Sequence, residues 1–265
     1  MPRFAANLSM MFTEHPFLDR FAAAKAAGFE AVEYLFPYDF PAEQVAERLH
    51  GAGLTQALFN LPPGDWQAGE RGIAALPGRE GEFAQSVETA IGYARLLGNR
   101  LVHVMAGLRP EGVDPELVQA TYTDNLKVAA AQAAKAGLTV LVEPINPRSM
   151  PGYVMNSMQE GARLVASLRG QGHANVALQF DMFHCQIIQG DIAHTLRALF
   201  DLTGHVQIAG VPDRHEPDGG NEVHYPYLFG LLDELGYDGW VGCEYVPAGR
   251  TEDGLGWLRA ATGGR

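Results

Sequence analysis

The chain has 265 residues, 47% of them hydrophobic and 19% charged, which is enough apolar material for a large core and excludes a disordered or fibrous chain. Nineteen Lys and Arg stand against 31 Asp and Glu, a net charge of −12 that argues against a surface for nucleic acid or another polyanion. Cys185 and Cys243 are too few for a disulfide scaffold and lack zinc-type spacing, and neither a signal-peptide pattern nor a run of ~18 apolar residues is present, so the expectation is a cytoplasmic protein with no membrane partner.

In chain order, apolar runs at residues 4–8, 31–36, 55–61, 101–106, 139–145, 176–181, 205–209 and 239–245 read as strands. Most are rich in Val, Ile, Leu and Phe without strict alternation, as strands buried on both faces should be. Helical segments lie between them. Phe17, Phe21 and Ala24 share a face before Gly28, a helix from Pro41 ends near Gly51 and Gly53, and Ser157 with Glu160 forms a capping box. Eight βα units of about 33 residues predict α/β architecture, a single (β/α)8 TIM barrel over residues 1–265 rather than a two-domain doubly wound fold. Two connections, 62–79 and 210–225, are longer than usual. They follow strands, which puts them on the C-terminal face, and their Trp66, Arg71, Arg214, His215 and prolines read as rigid substrate-covering loops.

Four strand segments finish on a polar residue that a buried strand does not ordinarily carry. These are Glu143 in LTVLVEP, Asp181 in VALQFD, Gln207 in HVQIAG and Glu244 in GWVGCEY. Each lies about one βα unit from the next, so a closed barrel collects them at its C-terminal mouth. None of these segments holds a Lys or Arg, and three carboxylates so placed repel one another unless a cation neutralises them. All four side chains offer oxygen, which suits a divalent metal such as Mg²⁺, or secondarily Mn²⁺, better than zinc. His184, in the run DMFH, is positioned either to polarise a substrate oxygen or as a structural histidine. His103 and Asn60 line the pocket or pack the core, and Cys185 and Cys243 read as small core fillers.

Such a set suits proton transfer in an α-hydroxycarbonyl compound, where a divalent ion stabilises the enediolate and two carboxylates remove and return the proton. Glu143 and Glu244 are candidates for opposed positions, with Asp181 and Gln207 between them in strand order. A carboxylate that also binds metal is a weaker base, so it must use its second oxygen or loosen its metal bond. No dinucleotide fingerprint, phosphate-binding loop or nucleophile elbow is present, so no nucleotide cofactor is expected. Arg71 and Arg214 are either anchors for a substrate carboxylate or surface charges.

The segments RFAANLSMMF, FEAVEYLFPYDFPAEQV, GDWQAGERGIAALPGRE, LVEPIN, HVQIAGVPDRHEPDGGNEVHYPYLF and GYDGWVGCEY together resemble the hydroxypyruvate isomerase family. That family includes the 2-oxo-tetronate isomerases and sits in the xylose-isomerase-like barrel superfamily; the likeness covers essentially the whole chain. The resemblance implies an isomerase, an intramolecular oxidoreductase interconverting hydroxypyruvate and 2-hydroxy-3-oxopropanoate (tartronate semialdehyde), or alternatively 2-dehydro- and 3-dehydro-tetronate. It further implies that Glu143 and Glu244 are the proton donor/acceptor pair and that these two, with Asp181 and Gln207, bind Mg²⁺.

The resemblance ranks neither acid. Related ketose 3-epimerases carry a His where this chain has Gln207, and a non-catalytic sugar-acid binding barrel is a further alternative. A nuclease of the endonuclease IV type shares the barrel, but this chain has the wrong ligand types and charge for it. The expected partner is a small sugar acid, with no nucleic acid and no membrane; a homo-oligomer is compatible with the sequence.

Overall fold

The computed structural model describes residues 1–263. Eight parallel strands, β1 (Arg3–Asn7), β2 (Ala31–Tyr34), β3 (Thr55–Asn60), β4 (Leu101–His103), β5 (Thr139–Val142), β6 (Val176–Asp181), β7 (Thr203–Ile208) and β8 (Trp240–Cys243), pair in chain order. Pairing of β1 with β8 closes the barrel. Around it lie α1 (Arg20–Ala26), α2 (Ala42–Gly51), α3 (Glu80–Leu97), α4 (Pro115–Ala134), α5 (Met158–Gly170), α6 (Met182–Ile188), α7 (Ile192–Leu199), α8 (Tyr225–Leu235) and α9 (Gly256–Ala261). None of the helices among the described residues is long and apolar enough to cross a membrane.

Local chemistry explains several boundaries. Asp114 and Ser157 each accept a backbone N–H two or three residues on, at 2.9 and 3.3 Å, and so start α4 and α5. Gly28 adopts φ +96° just past α1, a conformation that terminates a helix cheaply only with glycine. Phe17 falls in a 3-10 turn ahead of α1 rather than in the helix itself.

Five of the strands, β2, β3, β4, β5 and β8, are shorter than the apolar runs that mark them. Val104, Ala106, Ile145 and Tyr245 are buried but lie beyond the ends of β4, β5 and β8. Hydrophobicity reports burial, which continues past the last ladder pairs of these strands. The expectation of only two long connections is corrected for the same reason. Residues 104–114 and 143–157 also form long loops, joined by a Leu108–Tyr153 bridge and by the Arg109 N–H to Gly152 carbonyl bond at 2.8 Å.

Outward side chains such as Val32, Phe59, Val140, Phe180 and Val206 pack against the helices in the main core. Inward positions begin apolar at the N-terminal end, with Ala5, Ala31 and Ala57 against Trp240. Two residues further along several strands the interior turns polar. Glu33 on β2 accepts from Asn7 Nδ2 at 3.1 Å and Gln207 Nε2 at 2.8 Å, and its Oε2 lies 2.8 Å from His205 Nε2. Strand β7 is not a neighbour of β2, so these bonds cross the barrel interior.

Gly242 on β8 leaves the space that Glu33 occupies, since a Cβ there would collide with the Glu33 carboxylate. The three polar partners prevent that carboxylate from moving aside cheaply. Gly242→Ala is therefore expected to destabilise the fold by about 1–3 kcal/mol, the range for overpacking a filled interior. Urea unfolding measures this; an unchanged midpoint would show that Glu33 is free to shift.

Candidate active site

The mouth of the barrel gathers the expected carboxylates. Glu143 follows β5, Asp181 ends β6 and caps α6, and Glu244 follows β8. His184 sits in the first turn of α6. Ligand atoms of Glu143, Asp181, His184 and Glu244 all lie within 4.8 Å of one another, and the four residues are at most 5% exposed. Asp181 Oδ1 accepts the backbone N–H groups of Phe183 and His184 at 2.6 and 3.2 Å. This leaves Oδ2 aimed at the cluster without a hydrogen-bond partner, and Glu143 Oε1 is likewise unpartnered.

Burial dominates the electrostatics. Desolvation, then the charges of Glu244 and Asp181, hold the Glu143 carboxyl well above the usual range. Glu244 is pushed up to about 8 by desolvation and by Asp181 against the opposing pull of Arg214, and desolvation likewise raises Asp181. The one guanidinium here among the described residues, Arg214, donates from Nη2 to Glu244 Oε2 at 2.8 Å and from Nε to the Glu244 carbonyl at 3.2 Å. It also lies 3.8 Å from Asp181 Oδ2 and stacks over Phe183 at 5.0 Å. Desolvation opposes the Arg214 charge, but the three carboxylates outweigh it and keep it protonated.

One monovalent guanidinium leaves three carboxylates under-compensated, and two buried oxygens without partners point at the same place. The donor set therefore fits a metal ion, and oxygen predominance favours a hard one.

The other expected site residues fall into two groups. Asn60 and His103 join the cluster from below: His103 Nδ1 lies 3.3 Å from Asn60 Oδ1 and 3.6 Å from Glu143 Oε2. Desolvation, then His205, lowers His103 to about 3, so it is neutral beside Glu143 and forms no ion pair with it. Gln207 is in register with Asp181 and buried; its Nε2 serves Glu33 while its Oε1 accepts from Gln179 Nε2 at 2.6 Å. Arg71 stands apart. It lies 4.0 Å over the Trp66 ring and donates to the Trp66 and Glu70 carbonyls, engaged within its own loop.

Four polar residues not singled out from the sequence belong to this assembly: Glu33, Gln179, His205 and Asn146. Gln179 and His205 lie two positions before Asp181 and Gln207, hence on the same strand face, which is a readable signal. Asn146, two residues past Pro144, contacts His184 through the fold and carries no such signal.

Comparison with known proteins places this geometry. The sequence matches the xylose isomerase-like TIM barrel family over residues 21–261. It is 57% identical to a 2-oxo-tetronate isomerase of Cupriavidus necator, over 99% of this chain and 100% of that protein. It is 43% identical to a hydroxypyruvate isomerase of Escherichia coli (strain K12), over 97% and 98% of the respective chains. Among solved structures it is similar to a protein described as AP endonuclease, family 2, from Brucella melitensis, at 52% identity and TM-score 0.94 over 98% and 99% of the two chains.

The raised carboxyl pKa values have a stability consequence. A group whose folded pKa exceeds its unfolded value stabilises the fold below the unfolded pKa and loses that contribution as pH rises through the folded one. For Glu244 the window runs from the ordinary 4.5 to about 8. Metal-free protein should accordingly lose thermal stability as pH is raised from about 5 to about 9, and a saturating divalent cation should flatten that loss. Thermal melts in EDTA and in excess Mg²⁺ measure both; a metal-free melting temperature independent of pH would contradict the buried-carboxylate picture.

Proposed function

The chain belongs to the xylose isomerase-like TIM barrel family, and as an isomerase of that family we propose that it shifts the carbonyl of a small 2-oxo acid by proton transfer through an enediolate. The observation that carries this reading is the convergence of Glu143 and Glu244, both buried and, without a metal, both with raised proton affinity, around the metal-capable cluster. A carboxyl group with a pKa lifted toward neutrality is suited to take a proton from carbon and give it back.

The substrate is an acid of three or four carbons. Hydroxypyruvate and 2-hydroxy-3-oxopropanoate form one candidate pair; 2-dehydro- and 3-dehydro-tetronate form the other. The higher identity to a 2-oxo-tetronate isomerase, 57% against 43%, favours the four-carbon acid.

Glu143 would use its unpartnered Oε1 to hold the transferred proton at one side of the substrate. Glu244, steadied by Arg214 through Oε2, would hold it at the other. Arg214 has five N–H donors and engages two of them on Glu244, so the remaining ones are available to a substrate carboxylate. Glu143, Asp181, Gln207 and Glu244 would hold Mg²⁺, which supplies electrostatic stabilisation to negative charge developing on adjacent substrate oxygens. Asn60 and His103 would form the pocket floor, with His184 facing the substrate. Burial of the whole set excludes water from the reacting carbon.

The likeness to a protein described as an AP endonuclease raises a nuclease reading. A net charge of −12 opposes it, because phosphate-backbone binding depends on Lys and Arg. Cytoplasmic residence is the proposed location, on the two free buried cysteines, which suit a reducing compartment.

The decisive assay follows isomerisation of hydroxypyruvate and of a 2-oxo-tetronate, with and without EDTA. Turnover of at least one acid, abolished by EDTA and restored by Mg²⁺, is expected, with the higher kcat/KM identifying the substrate. No isomerisation of either acid would overturn the reading. Glu143→Gln and Glu244→Gln should each lower kcat by at least ~10² with the fold intact, as expected for loss of an acid–base group. Near-native turnover in either variant would remove that residue from proton transfer.

A further inference from the structure

The four-residue cluster leaves open which way the His184 ring faces it, as a lone pair that could bind metal or as an N–H that could bind substrate. The two are mutually exclusive, since a neutral imidazole carries one hydrogen and one acceptor nitrogen. The answer lies on the far side of the ring. Asn146, fully buried, places its backbone N–H 3.3 Å and its side-chain Nδ2 2.6 Å from His184 Nδ1.

The orientation of the Asn146 amide is itself determined. Its Oδ1 accepts the Ser149 backbone N–H at 2.8 Å, and Nδ2 also reaches Ser149 Oγ at 3.1 Å. Turning the amide over would set an NH₂ against the Ser149 N–H, donor against donor. With Oδ1 committed to Ser149, both Asn146 nitrogens present hydrogens to Nδ1. A protonated Nδ1 at 2.6 Å from an amide nitrogen is not a hydrogen bond, so Nδ1 is an acceptor and the ring hydrogen is on Nε2. The other face agrees: Nε2 lies 3.8 Å from Glu143 Oε1 and 3.7 Å from Asp181 Oδ2, two oxygens with no hydrogen-bond partner among the described residues that would attract an N–H.

We propose that Asn146 is a positioning residue that holds His184 as the Nε2–H tautomer, so that His184 offers the site a hydrogen-bond donor and is not a metal ligand. The tautomer assignment stands on the hydrogen-bond geometry alone. Its catalytic consequence, an N–H directed at a substrate oxygen between Glu143 and Asp181, rests on the isomerase reading. The same geometry makes Asn146 intolerant of its nearest isostere. An Asp there keeps one oxygen for the Ser149 N–H but turns the other, an acceptor, onto Nδ1, which draws the ring hydrogen away from the site.

Long-range ¹⁵N–¹H correlation spectra of histidine-labelled protein read this directly. Wild-type His184, identified by its loss in His184→Ala, should show an unprotonated Nδ1 and a protonated Nε2 both in EDTA and with Mg²⁺. Asn146→Asp should place a hydrogen on Nδ1. A wild-type Nδ1–H, or an Asp variant with the wild-type pattern, overturns the assignment. Calorimetric titration with Mg²⁺ supplies the second measurement. His184→Ala should bind within about twofold of wild type, whereas loss of a metal ligand would exceed the about tenfold cost typical even of an outer partner.

In turnover, Asn146→Asp should lower kcat by about 10²-fold, the scale of a lost acid–base or polarising group, in protein whose circular dichroism shows the native fold even where the new buried carboxylate lowers its melting temperature. Native kcat in a variant whose tautomer has switched overturns the catalytic part. Wild-type spectra as described together with no turnover of either acid would instead refute the isomerase reading and leave the tautomer assignment standing.

Discussion

Glu33, Glu143, Asp181 and Glu244 are all at most 5% exposed, and an ionised carboxylate out of water costs several kcal/mol unless something repays it. Much of the barrel interior can be understood as a set of answers to that cost. Glu33 is repaid by three polar partners on two other strands and by the empty position at Gly242. Asp181 is repaid by the first backbone N–H groups of α6. Glu244 has Arg214. Glu143 is the least compensated, with an oxygen that meets no donor and two acidic neighbours. The unresolved part of the electrostatics is thus concentrated at one point, and that point is where a cation fits.

Holding Arg214 there requires the connecting loops to be rigid. Arg214 adopts φ +60°, an uncommon conformation for a side-chain-bearing residue, and is tied by its N–H to the Gly210 carbonyl at 2.8 Å and by its carbonyl to the Val246 N–H at 2.8 Å. The loop at residues 62–79 is stitched in a similar way, with the Ala75 N–H on the Ala106 carbonyl at 2.8 Å and Asn125 Nδ2 on the Ala74 carbonyl at 2.8 Å. Gly72 and Gly107 let these two backbones touch where any Cβ would collide. Both loops are therefore built as walls, consistent with the rigidity expected from their proline content.

The barrel and its carboxylates were legible in the sequence because each depends on a local pattern. Alternating apolar runs and helices specify the fold, and Glu143, Asp181 and Glu244 interrupt apolar strands one unit apart. What escaped was the second polar layer. Glu33 lies inside AVEYLF, where a single polar residue reads as the solvent-facing position of a strand, and only the closed interior shows it facing Gln207 and His205. Asn146 acts across 38 residues on a ring nitrogen, a relation no spacing rule encodes. Arg71 stayed open because charge and loop position are equally compatible with anchoring a substrate and with stacking on Trp66.

Charge balance also links substrate binding to proton transfer. A divalent cation together with Arg214 would cancel the three carboxylates of Glu143, Asp181 and Glu244, so an acid substrate enters as the one uncompensated charge in a site with little water to screen it. Arg214 is what restrains the proton affinity of Glu244 in the absence of substrate. Were a substrate carboxylate to share that guanidinium, as proposed, the restraint would weaken and Glu244 would become a stronger base. Under the proposed reaction, the proton that Glu244 accepts leaves its negative charge on the enediolate, so the total is unchanged and the charge moves from the carboxylate to substrate oxygens that a cation would stabilise; an acid, rather than a neutral sugar, would ready Glu244 for that transfer by drawing on Arg214.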